Sequence, residues 1–84
     1  MEALEFMLDL ASGDYAVEES DGQIVASFRD ADGNAQILGF AADDPEPEKR
    51  AECLDWSVRV AMGDVWREPP AWVKEMFSGS GAPR

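Results

Sequence analysis

Asp30, Asp32 and Asn34 stand at alternate positions, the spacing with which a calcium-binding loop opens. In such a loop the alternate oxygens converge on one cation, which needs six or more of them. The loop also requires glycine at its sixth position and a bidentate carboxylate at its twelfth. Counted from Asp30, those positions hold Ala35 and Ala41, so the coordination shell would stay open. A hairpin turn explains the same residues better, because Asp and Asn bond nearby backbone and Gly33 tolerates positive φ.

Other chemistry is weaker still. Two carboxylates can share general acid and base work. Glu18–Glu19 and Asp43–Asp44 are adjacent pairs, however, and adjacent residues on a strand point to opposite faces. A solvated surface is the simpler reading. The chain has no histidine, so the commonest general base and metal ligand is missing. Cys53 therefore lacks an activating partner, and its place beside an apolar helical stripe suits a small core residue. None of the serines sits in a nucleophile-elbow pattern, and Gly79-Ser80-Gly81 precedes no helix that could receive a phosphate. The expectation is a protein without catalytic residues, metal or cofactor, and not an enzyme.

Charge is the dominant property. Of 84 residues, 18 are acidic and 7 basic, a net charge of −11. The charge is unevenly spread. Residues 1–48 hold thirteen acids and Arg29, a net of −12; residues 49–84 hold five acids and six bases, a net of +1. Such a surface repels nucleic acid and anionic membranes and is attracted to basic protein surfaces. Neither direct nucleic-acid binding nor membrane binding is expected. A single cysteine rules out an internal disulfide framework. No apolar run approaches a membrane span, and Met1–Leu10 carries three acids and no base, unlike a signal peptide. The expected compartment is a reducing cytoplasm.

These residues must be positioned by a short chain, which permits one domain with a small core. Residues 1–78 are read as that domain and residues 79–84 as a flexible tail. Ala3, Leu4, Met7, Leu10 and Ala11 recur with helical period, and Gly13 follows as a cap. Three alternating segments come next, separated by Asp21-Gly22 and by Asp30–Asn34, which predicts an antiparallel meander over roughly Asp14–Phe40. Asp43 or Asp44, then Pro45 or Pro47, introduce a second helix, Pro47–Met62, with Ala51, Leu54, Val58 and Ala61 as its buried stripe. A short third helix is read at Ala71–Phe77. The order is α-β-β-β-α-α, an α+β domain with its helices on one face of a three-stranded sheet. Leu4, Met7, Phe28, Leu38, Leu54 and Val58 are the expected core.

The helix–meander–helix order is similar to the double-stranded-RNA-binding fold. That family holds phosphates with lysines at the start of its last helix. Here Asp44-Pro45-Glu46-Pro47-Glu48 lead to only Lys49 and Arg50, so RNA binding is not expected. In size, concentrated negative charge and lack of a catalytic motif, the chain resembles the small phage-encoded anti-CRISPR inhibitors. The likeness is one of size and charge, and no residue motif is carried over. It implies a phage protein acting as a DNA mimic in a bacterial host cytoplasm, with acids taking the place of phosphates in a nuclease or CRISPR effector subunit.

The expected partner-binding residues are Asp14, Glu18, Glu19, Asp21, Asp30, Asp32, Asp43, Asp44, Glu46 and Glu48. The favoured patch unites Asp14, Asp30 and Asp32 with the segment leading into the second helix. The competing reading is an interaction module of the antitoxin or immunity type, anchored on one cognate protein by Trp66 and Trp72. A homodimer, if one forms, would use Trp72, Val73, Met76 and Phe77.

Overall fold

The computed structural model describes residues 2–64 and 68–71. Within them the order is α1 (Ala3–Ala11), β1 (Ala16–Ser20), β2 (Gln23–Arg29), β3 (Ala35–Ala41) and α2 (Pro47–Ala61). The fold is α+β with an antiparallel sheet in the order β1-β2-β3. The third helix expected beyond Ala71, the tail, Trp66 and Trp72 lie outside the described residues. So do Val73, Met76 and Phe77, and with them the dimer contact expected there. No helix among the described residues is long and apolar enough to cross a membrane.

Local chemistry sets each boundary. Ser12 and Gly13 both take positive φ, and the Ser12 N–H donates to the Leu8 carbonyl, which ends α1. The left-handed step thus begins one residue before the expected glycine. Asp21 and Gly22 both have positive φ, as a two-residue hairpin turn with right-handed strand twist requires. Pro47 starts α2, where its missing N–H costs nothing, and Glu48 in the first turn faces the positive end of the helix dipole.

Strand alternation sorts the side chains. Val17, Ile24, Ala26, Phe28 and Phe40 pack on the face covered by α1 and α2. Met7, Ile24, Ala26, Ala51 and Val58 are fully buried, and Leu54 nearly so. Leu4 and Phe28 are half-buried. Leu38 departs from the expected core. It lies opposite Ala26, on the covered face, yet remains 36% exposed. Its register is as alternation predicts, but the covering layer stops short of it. A cleft of about 370 Å³ opens there between β3 and α2.

The number of strands decides which segments meet. In a three-stranded meander β1 and β3 run the same way, so their C-terminal ends lie together. The β1–β2 turn therefore sits beside the segment leading into α2, and the Ala42 N–H donates to the Gly22 carbonyl at 2.8 Å. At the opposite end the Ala31 N–H donates to the Ala61 carbonyl at 2.9 Å, closing the β2–β3 turn onto the last turn of α2.

Candidate functional site

The acids fall into two groups, one at each end of the sheet. At the Asp30 end, Asp30 and Asp14 are consumed by internal bonds. Asp30 Oδ1 accepts the backbone N–H groups of Asp32 and Asn34, both at 2.9 Å, and its Oδ2 accepts the Gln36 side-chain amide at 2.9 Å. These bonds, the one from Asn34 foremost, favour the charged form and hold the Asp30 carboxyl below the usual carboxylate range. The carboxylate spaced like a calcium ligand is thus a turn-former. Among the described residues no three His, Cys, Asp or Glu side chains are grouped so as to hold a metal ion. Asp32 remains exposed at the turn tip.

Asp14 at this end is paired. Arg59, on the last turn of α2, donates to Asp14 Oδ2 at 2.8 Å and to Asp55 Oδ1 at 3.0 Å. Its remaining nitrogen donates to the Leu10 carbonyl at 2.9 Å and the Ala11 carbonyl at 3.3 Å. Arg59 therefore satisfies carbonyls that the end of α1 leaves without helical partners. Its guanidinium carbon lies 5.6 Å from the Tyr15 ring centre, and the Tyr15 hydroxyl donates to Asp55 Oδ1 at 2.6 Å. Burial, reinforced by this bond to a carboxylate, pushes the phenol pKa far upward. The bond to Asp14 likewise raises the Arg59 pKa against the opposing effect of burial. The group fastens α1 and the segment leading into β1 to α2.

The Gly22 end is different. Two of its acids have partners: Asp44 Oδ2 accepts Arg50 Nε at 3.1 Å, and Glu46 pairs with Lys49 at 3.0 Å. Asp44 Oδ1 also accepts the Glu46 N–H at 2.8 Å, shaping the lead-in to α2. Asp43 does not take that role. No salt bridge among the described residues reaches Glu18, Glu19, Asp21, Asp43 or Glu48, and all five are exposed. Glu18 and Glu19 occupy opposite faces of β1, Glu18 paired with Val25 and Glu19 with Ile24.

The expected single patch therefore needs correction. The lead-in to α2 does not bridge to Asp14 and Asp30. It abuts the β1–β2 turn, so Asp21 and Asp43 through Glu48 share one end, while Asp14 and Asp30 belong to the other. Strand parity is the reason. The Arg59–Asp55–Tyr15 group was missed by sequence reasoning, which left Asp55 and Arg59 outside the buried stripe of α2. Their i, i+4 spacing was a visible signal for the pair; the links to Tyr15 and Asp14 bridge 40 and 45 positions and had none. No protein-family model, curated protein or solved structure matches the chain.

Proposed function

We propose that this protein is a non-enzymatic acidic binder of a basic protein surface that normally holds nucleic acid, and that it blocks that surface as a DNA mimic, in the anti-CRISPR manner. One observation carries the reading: the hydrogen bond from Ala42 to Gly22 gathers Asp21, Asp43, Glu46 and Glu48 at one end. Among the described residues, Lys49 and Arg50 offset them there, Lys49 paired with Glu46 and Arg50 with Asp44. Carboxylates on so small an end raise a local negative potential that steers basic partners toward it. The patch moves accordingly, from the Asp30 end to the Gly22 end.

The test uses the whole protein as bait in a bacterial lysate at low and high salt, beside the variant Asp21→Asn with Asp43→Lys. The expected capture is of nucleic-acid-binding proteins, released by salt or by added duplex DNA and weak on the variant bait. Capture that ignores both salt and the two substitutions would exclude the acidic end as the binding surface and return the choice to an aromatic-anchored module.

A further inference from the structure

The two edges of the sheet are built differently. β1 is five residues long and carries Glu18 and Glu19, the kind of charged edge that resists pairing with another strand. β3 is seven residues long, Ala35-Gln36-Ile37-Leu38-Gly39-Phe40-Ala41, with neither charge nor proline. That run stands out in a chain of which 30% is charged. Every residue of β3 but Phe40 is exposed, Ile37 at 69%.

Two bonds that flank the β2–β3 ladder fix its phase. The Asp30 N–H donates to the Asn34 carbonyl, and the Ala42 N–H to the Gly22 carbonyl. Bonded and non-bonded pairs alternate in an antiparallel ladder. Gln36, Leu38 and Phe40 therefore turn their backbone groups toward β2, and Ala35, Ile37, Gly39 and Ala41 turn theirs away from the sheet. Gly39, mid-strand, has no side chain to shield that edge.

The cleft lies beside the same edge. It is lined by Leu38 and Phe40 from β3 and by Cys53 and Leu54 from α2. Alternate side chains of a strand added along β3 would fall on this face, at the mouth of the cleft. Acids bracket the edge, Asp32 before β3 and Asp43 after it. Charge also selects the occupant. A second copy paired antiparallel about Leu38 would set Asp32 of one chain against Asp44 of the other, and opposed like charges destabilise a strand pair.

We propose that the β3 edge accepts an extended segment of a basic protein as a fourth strand. The segment places an apolar side chain in the Leu38–Phe40–Leu54 cleft and Lys or Arg at both ends, against Asp32 and Asp43. Main-chain bonds would supply affinity, and the cleft and flanking acids selectivity, as in other strand additions. The proposal rests on the preceding reading for the basic character of the partner, and adds the element that receives it.

Cys53, the sole cysteine, is a free, half-buried thiol in the cleft and serves as reporter. The probe is a synthetic peptide of seven alternating valines and threonines with two lysines at each end. It should slow modification of Cys53 by a thiol reagent about tenfold at saturation, and the same peptide with glutamates at its ends should not. Ile37→Pro removes one outward N–H and no bond to β2; Ile37→Lys adds a cation without altering the backbone. Ile37→Pro should weaken the peptide about tenfold, the magnitude of one main-chain bond, and Ile37→Lys should weaken it about threefold, by charge repulsion alone. Unchanged Cys53 reactivity, or wild-type affinity in Ile37→Lys, would overturn the proposal. So would a dimer, seen by light scattering, that protects Cys53 without peptide. If the Ile37 variants keep the lysate capture that Asp21→Asn with Asp43→Lys loses, the edge is wrong and the acidic end stands.

Discussion

Both ends of the sheet are acidic, yet they use their carboxylates in opposite ways. At the Asp30 end, the Asp30 and Asp14 carboxylates meet backbone N–H groups, an amide and a guanidinium. At the Gly22 end, Asp21, Asp43 and Glu48 meet water. The difference teaches that a sequence count of acids overstates the binding surface. A carboxylate whose lone pairs are occupied by its own chain has little left for a partner. The arrangement ties Asp14 and Asp30 to stability and, on the proposed function, leaves the Gly22 end for recognition.

Removing Arg59 is the sharpest way to probe that division. Arg59→Ala takes the counter-charge from the Asp55 carboxylate, only 14% exposed, leaving it the Tyr15 hydroxyl, and removes a donor from the Leu10 and Ala11 carbonyls. It should cost about 2–4 kcal/mol of unfolding free energy in urea, with binding by the folded protein unaltered. A loss below about 0.5 kcal/mol would break the assignment of this end to stability.

Asp44 belongs to the recognition end but is bonded like a structural residue, with its side chain 17% exposed. Asp44→Ala should cost about 1 kcal/mol, chiefly through the lost bond to the Glu46 N–H. A neutral result would move Asp44 into the free acidic group.

Asp30 is read by pH. Its folded pKa is depressed, so its contribution to stability is fully present above the unfolded value, about 3.9. That contribution is lost as pH falls through the lower folded value. Asp30→Asn should lower stability near neutrality, where that contribution is fully present, and flatten the profile below about pH 4. Parallel profiles for the two proteins throughout the acid range would show that the turn bonds are not coupled to folding.

The smallest stability effect belongs to the exposed acids. Asp43→Lys should leave unfolding free energy within about 0.5 kcal/mol of wild type, as surface changes usually do. The same substitution should slow association with a basic partner and reduce its salt dependence. Asp32→Lys should act in the same direction through the β3 flank, while Asp30→Lys should destabilise the turn. Equal binding losses from Asp30→Lys and Asp43→Lys, at equal stability, would erase the contrast between the ends.

Much of this architecture is local and was legible in the residues. Asp21-Gly22 and Asp30–Asn34 specify turns because they tolerate positive φ or bond their own backbone, and the alternation of Ile24, Ala26 and Phe28 specifies a covered face. Pro47 and the stripe Ala51, Leu54, Val58 specify a helix and its buried side. The charge-free run Ala35–Ala41 was equally visible as a pattern. Leu38 shows the limit, since alternation assigns its face but cannot say how far α2 extends over it. Which acids stand together is likewise a tertiary matter. The parity of the meander places Ala42, and the acids that follow it, beside Gly22, and a hydrogen-bonded group joining α1, the segment before β1 and α2 withdraws Asp14. Turns and amphipathic faces arise from forces acting over a few residues. Salt bridges such as Arg59 to Asp14 depend on where distant segments come to rest, and only the packed fold decides that.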